Sequence, residues 1–445
     1  MLISALLLGS LLTPAPQTDG LAEARSALKE GRVDVAERLL NELASADEQH
    51  LEARLLLSEL LMQRPTPNPN RVLELLDPWD SSTEARALVA LGEAYESIAR
   101  DLQTQRASID DVGYFLGEAL SHYERAASFA EPGDTEGLTK AGYLALYEFS
   151  DWNKTVELAD AALSVDKRNA EARLMRGCAR LYAYVEAKQG DDEAATTAVW
   201  QSAVDDLQFA GEKLGEARGD AWWQLAWLYE DASEPVLAVE SAVLHMQRTP
   251  DMDISRVYGL AKRYANENEF GASRAALLAL IEHDEAELTR WVAAEADPTA
   301  VAVRLGYSVG SDVASGNLAT AITVLEPLLA VQPADADIWN NFGLLNRDRG
   351  VQLEQAGDTE EAQRHYVNSY NAYEKSIEFA PENPQMLNDT ALVMQYHVRT
   401  DLDRARELYR EAIKHATLRI EAGDTLPELK IALRDATNNL GILGG

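Results

Sequence analysis

The sequence predicts an all-α chain built as a stack of antiparallel helical hairpins, and three observations predict it. The stretch Asp220 to Met252 reads as two helices folded back on each other: DAWWQLAWLYEDA, a break at Ser233-Glu234-Pro235, then VLAVESAVLHMQR and a stop at Thr249-Pro250. Trp222, Leu225, Ala226 and Tyr229 fall at helical spacing on one face; Ala238, Ala242 and His245 do so on the second helix. This pattern recurs along most of the chain with a period of about 34 residues. Helical stretches of about 12 to 20 residues alternate with Gly- or Pro-containing breaks, and no strand-like alternation of useful length interrupts them.

Taken in order, residues 1–17 open with an apolar run, MLISALLLGSLL. It falls short of the roughly 20 residues that span a bilayer. Its length suits the apolar segment of a secretory signal, although no Lys or Arg precedes it and TPAPQ lacks a small-x-small cleavage site. A signal predicts an exported protein, periplasmic or extracellular. The alternative is a buried first helix and a cytoplasmic protein. Residues 18–80 read as degenerate hairpins, one turning at Gly31-Arg32 and one broken by Pro65, Pro67 and Pro69. Residues 81–283 read as a first repeat array, 284–301 as an irregular joint, and 302–425 as a second array. Residues 426–445 read as a capping helix, since a stack needs a terminal element over its last apolar face.

Three units depart from the period. Between Tyr95 and Ala119, Gly177 and Ala203, and Phe342 and Tyr373 there are about 14 or 15 extra residues, two heptads or four helical turns. Split equally, they lengthen each helix of a hairpin by two turns and keep its face in register. The inserts are not Gly- or Ser-rich, and GDTEEAQRHYVNSYNAYEKSIEFA reads as unbroken helix after Gly357. Long hairpins are therefore expected near residues 85–130, 170–210 and 336–380.

These residues resemble the tetratricopeptide repeat (TPR) family. That family's first helix carries a bulky residue, a Leu followed by a small residue, and a Tyr one turn later. Its second helix brings two Ala-like positions, and a Pro closes the repeat. Trp222, Leu225, Ala226, Tyr229, Ala238, Ala242 and Pro250 match one unit; Leu260, Ala261, Tyr264, Leu277 and Leu280 match the next. Gly316, Ala321, Leu325, Leu328 and Pro333 match a later one, and Trp339, Phe342, Gly343, Tyr373 and Pro381 the long unit after it. Ala405, Tyr409 and Ala412 match a further second helix. The resemblance implies a solenoid, an α-α superhelix, whose first helices line a concave binding face. Small residues such as Ala226 and Ala238 let helix axes approach to about 8–10 Å.

Composition narrows the function. Forty Lys plus Arg stand against 74 Asp plus Glu, a formal net charge of −34. Such a surface repels phosphate backbones and anionic membranes, so no nucleic acid is expected, and no membrane contact beyond the N-terminal segment. The charge serves solubility or draws a basic partner. With one cysteine, Cys178, no intrachain disulfide can form, and the thiol reads as packed. The seven histidines are scattered, and no pair has metal-binding helical spacing. Asp251 and Asp253 begin like a calcium loop, but the Gly and distal Glu are missing. No phosphate loop or nucleophile elbow is present. We expect no catalytic residues, no metal, no cofactor and no small-molecule substrate.

Two sets of residues remain as candidate partner contacts. Trp223 and Trp227 are four apart, on a side of the helix distinct from Trp222 and Leu225, and Tyr258 holds the matching place in the next unit. Exposed aromatics mark binding hot spots, or they pack against a neighbouring long hairpin. Asn341, Asn388 and Asn439 recur at the same or an adjacent offset of successive first helices, in WNNFG, MLNDTA and TNNLG. An amide offers donor and acceptor together and can hold extended main chain. The series is similar to the asparagine ladder of a transferase's TPR superhelix, or reflects residues common in such repeats. Asn388 is one residue off register, with Asp389 in its place. The family's carboxylate clamp needs cations where this chain has Leu174, Cys178, Leu344 and Leu392. The expected function is a non-enzymatic scaffold binding a protein or peptide on its concave face. The alternative is a structural subunit docked into a cell-envelope assembly through its long hairpins.

Overall fold

The computed structural model describes residues 19–190, 192–214, 219–249 and 254–444. The N-terminal apolar run, and Pro250 to Asp253 with the calcium-like pair, lie outside the described residues. The described residues are helical with no strand, and no helix among them is long and apolar enough to cross a membrane. The chain forms two compact units, one ending at Gln224 and one beginning at Leu225.

The first unit contains α1 (Asp19–Lys29), α2 (Val33–Ala46), α3 (Leu51–Met62), α4 (Pro69–Leu76), α5 (Ala85–Thr104), α6 (Ile109–Phe129), α7 (Glu136–Tyr147), α8 (Trp152–Val165), α9 (Ala170–Ala187) and α10 (Glu193–Lys213). Sequence marks set the starts. The side chains of Asn68, Ser108, Asp151, Asn169 and Asp192 accept from backbone N–H groups of the first turns of α4, α6, α8, α9 and α10. Gly31 turns α1 into α2 in a left-handed conformation (φ 73°) that glycine adopts without penalty.

Packing follows a small-against-large rule. A Cβ on Gly92 of α5 would meet Tyr123 Cε1 of α6 at 2.5 Å, and one on Gly177 of α9 would meet Leu207 Cγ of α10 at 2.7 Å. Tyr123 and Leu207 are fully buried. Both hairpins are long, with helices of 20 and 21 residues in α5 and α6 and of 18 and 21 in α9 and α10, as the spacing of the inserts predicts. The α9–α10 hairpin also holds a buried carboxylate. Asp206 is 1% exposed and accepts from Arg173 (3.0 Å), Arg176 (2.7 Å) and Arg180 (2.7 Å). The three arginines sit three and four residues apart on one side of α9, so their guanidinium groups converge on Asp206. Cys178 is buried on the same helix.

The second unit begins inside α11 (Asp220–Asp231) and continues through α12 (Pro235–Arg248), α13 (Ser255–Asn266), α14 (Phe270–Ala293), α15 (Pro298–Gly306), α16 (Gly310–Ser315), α17 (Leu318–Leu329), α18 (Ala336–Gln355), α19 (Thr359–Phe379), α20 (Pro384–Val393), α21 (Leu402–Glu421) and α22 (Pro427–Ile442). Ala226 and Ala238 are fully buried in its core. Within residues 284–301, α14 kinks at Asp284, whose φ of −161° and ψ of 94° are not helical. A π-helical segment, Met394–Val398, extends α20 before Arg399 and Asp401 adopt positive φ. The α18–α19 hairpin shows how a long unit keeps register. Gly343 takes the ring of Tyr373, and Gly350, seven residues on, takes the ring of Tyr366, seven residues back. Two turns added to each antiparallel helix repeat the same contact.

Two stability contrasts follow. Gly343→Ala gains about 1 kcal/mol of helix propensity but places its Cβ 2.8 Å from the buried Tyr373 ring. Overpacking costs about 1–3 kcal/mol, so a lower urea midpoint is expected. Gly259→Ala, with nothing within 4 Å of its Cβ, should raise the midpoint. Asp206→Asn leaves Arg173 and Arg180 without their carboxylate, and Arg176 with Asp160 alone, and should cost about 3 kcal/mol. Asp160→Asn, at a carboxylate whose side chain is 52% exposed, should cost about 0.5 kcal/mol or less in the same melt.

Candidate functional site

In the second unit the first helices of the repeats are α13, α15, α18, α20 and α22. Between α15 with its following turn (Tyr307–Val309) and α18 lies a groove of about 310 Å³. Gly306 lets the two sides close up: a Cβ there would touch Ile338 Cδ1 and Leu325 Cδ2, both at 3.2 Å. The walls are apolar, with Val303, Val313, Ile338 and Leu344 among them, and Tyr307 stands 56% exposed at the edge. Asn341 is exposed on this wall, one turn from Leu344 and one turn from exposed Asp337. Asp335 lies at the same end; its side chain accepts from Ile338 N at 2.9 Å and so starts α18.

The structure places the other expected contacts differently. Trp223, in the first unit, is 37% exposed, and Trp227, in the second, is 36% exposed, one turn apart on α11. Tyr258 does not join them. It is buried, its ring lies 5.3 Å from that of Trp291, and its hydroxyl donates to Glu295 at 3.0 Å. The cause is the kink at Asp284, beyond which α14 carries Trp291 onto α13. Burial, then Glu295, push the Tyr258 hydroxyl pKa upward. The middle rung of the asparagine series is also corrected. Asn388 is 2% exposed, its amide donates to Asp389 (3.2 Å), and its carbonyl oxygen has no partner. Asp389, in the register place, is buried as well, because α20 packs against α19, α21 and α22. Asn439 is half-buried and accepts from Tyr396 at 3.4 Å. Of the three asparagines, Asn341 faces a groove.

Sequence reasoning missed Tyr307, Val313, Asp335 and Asp337, and read Leu344 only as a missing cation. Asp335 carried a signal, since Asp three residues before Ile338 is an N-cap pattern. The other three become a wall only when α15, its turn and α16 fold beside α18. A larger cleft of about 850 Å³ lies among α17, α18, α19 and α21, where Arg404 pairs with Glu374 at 2.5 Å.

A buried asparagine paired with a part-buried histidine inside the long α18–α19 hairpin was also missed. Asn346 is fully buried, donates to Phe342 O (3.0 Å) and accepts from His365 Nδ1 (2.8 Å). With the amide oriented by Phe342, His365 carries its proton on Nδ1. His397, on the π segment, stacks on Tyr366 at 4.3 Å. Burial depresses the pKa of both histidines. Arg349 and Arg364 add to this for His365 against Glu361; Arg347 and Arg399 do so for His397 against Glu354 and Asp348.

Repeated antiparallel hairpins, with glycine or alanine on the first helix beneath a large side chain of the second, decide the architecture. The fold is TPR-like. Solved structures similar to the chain are TPR proteins. One is YrrB, described as a TPR protein with an unusual peptide-binding site: 15% identity, 48% of this chain and 93% of that chain covered, TM-score 0.33. Another is TTC0263, a thermophilic TPR protein in Thermus thermophilus: 17% identity, 49% and 98% covered, TM-score 0.30. The TPR domain of P58(IPK) covers 95% of this chain and 98% of its own at 14% identity, TM-score 0.23. At these values the likeness assigns no residue a role. No protein-family model and no curated protein matches the chain.

The two histidines set an acid limit on this TPR-like unit. Their folded pKa values lie below the ordinary 6.5. The unfolded chain therefore binds more protons between the two values, and stability falls as pH drops through about 6.5. Thermal melts from pH 7.5 to 5.5 should show a falling midpoint, flatter in a His365→Gln variant.

Proposed function

We propose that the chain is a non-enzymatic scaffold that holds a protein or peptide partner in the first-helix groove between α15 and α18. The observation carrying this reading is an exposed amide set in an apolar wall. An extended segment placing a side chain among Val303, Val313 and Leu344 would pass its main chain by Asn341, which can donate and accept at once. Trp223 and Trp227 would each offer an exposed indole to a longer partner, and Asn439 a further amide. The proposal includes export to the periplasm or beyond, on the strength of the N-terminal apolar run.

A second reading is favoured by one observation. At the tip of the α5–α6 hairpin, Ile109 is 85% exposed and Tyr114 60% exposed. Such side chains suit permanent docking of a structural subunit into a larger cell-envelope assembly.

Photocrosslinking in the native cell separates the two. A photoreactive residue in place of Asn341 should capture a partner under the scaffold reading, and one in place of Ile109 should not. Crosslinks confined to Ile109 would support the subunit reading instead. With a captured partner in hand, Asn341→Ala should weaken binding about tenfold, as should Trp223→Ala with Trp227→Ala. Unchanged affinity removes those residues from the interface.

A further inference from the structure

The rim of the Asn341 groove carries charge that the chain does not answer. Asp335 and Asp337 stand together at the N-terminal end of α18, and among the described residues neither has an ion-pair partner. Asp335 has a local task, capping Ile338 N. Asp337 has none beyond a favourable place in the first helical turn. Several other carboxylates of this unit are matched. Glu230 pairs with Arg256 and Arg263, both at 2.8 Å; Glu295 pairs with Lys262, and Asp348 with Arg347 at 2.8 Å. No Lys or Arg lines the groove. Arg304, on α15, donates to Asn266 O (3.1 Å) and Asn268 Oδ1 (2.8 Å). The site is therefore apolar inside and uncompensated acid at one end.

We propose that this groove selects an extended segment in which an apolar side chain is accompanied, two to four residues away, by Lys or Arg. The inference rests on the scaffold reading and deepens it by naming the partner's chemistry. The apolar side chain lies against Val313, Ile338 and Leu344, Asn341 holds the main chain, and the cation meets Asp337 with Asp335 behind it. The spacing is geometric. Asp337 and Asn341 are four residues apart on a helix, about 6 Å, which is about two residues of extended chain. Leu344 lies about 4.5 Å beyond Asn341 along the same axis. Apolar walls raise the local field of the rim carboxylates, and the chain's net charge of −34 steers basic segments toward it. An acidic segment meets like charge on approach.

Three sets of fluorescent 15-residue peptides in a Gly/Ser background test the proposal by anisotropy on the full chain. One set carries a Leu with two Lys at spacings of two to four, one a Leu with two Glu, and one the two Lys without Leu. The Leu–Lys set should bind about tenfold more tightly than either other set, with affinity falling as salt rises. Asp337→Lys should abolish that preference and favour the Leu–Glu set, and Val313→Glu should remove the dependence on Leu. Asp337→Asn, which removes charge without bulk, serves if the lysine variant melts early. Equal binding of Leu–Lys and Leu–Glu, or affinity unchanged by Asp337→Asn, overturns the inference while peptide capture by the scaffold stands. Failure of all three sets, together with no crosslink at Asn341, overturns the scaffold reading and this inference with it.

Discussion

The structure depends on one contact, repeated: a residue without a large side chain on a first helix, and a large side chain of the second helix laid over it. Tyr123 over Gly92, Leu207 over Gly177, and Tyr373 over Gly343 are instances. Each brings two helix axes close enough for their apolar stripes to merge into a core. Ala226 of α11 and Ala238 of α12 are small residues fully buried in the core of the second unit. The fully buried tyrosines combine a large apolar body with a polar tip: Tyr123 donates to Glu96 at 2.9 Å and Tyr409 to Gln395 at 2.8 Å. Tyr373 is an exception, with its hydroxyl unpartnered.

The long hairpins add polar burial to this pattern. In α18–α19 the extra turns repeat the glycine–tyrosine contact, but they also enclose Asn346 with His365. In α9–α10 the base of the hairpin encloses Asp206 among three arginines. A plain apolar seam would tolerate a slip of one helix past the other. A buried donor–acceptor pair tolerates none, because a slipped partner leaves an unsatisfied group in a low-dielectric interior. The same enclosure ties the α18–α19 hairpin to pH, since burial lowers the pKa of its histidine.

The groove beside α18 arises where the repeat is least regular. Pro298 opens α15 as a short helix of nine residues, and the chain then bends through Tyr307–Val309 into the six residues of α16. A straight helix here would present one face to α18. The broken one sets Val303, Tyr307 and Val313 around a hollow. At its floor, Gly306 permits contact with Ile338.

Helix positions, hairpin partners and long units were legible in the sequence because each is a local property. Capping residues, Gly and Pro breaks and apolar spacing are read within about 20 residues, and the two-heptad inserts follow from helical arithmetic. Asn341 was legible for the same reason, as a polar residue on the side of α18 opposite Phe342 and Gly343. Tyr258 and Asn388 were not. Their exposure depended on what lies across from them: a kink at Asp284 that brings Trp291 over one, and the enclosure of α20 by α19, α21 and α22 around the other. Periodicity states which way a side chain points on its own helix. Only the packed chain decides whether solvent or another helix waits there, because burial is set by residues distant in sequence.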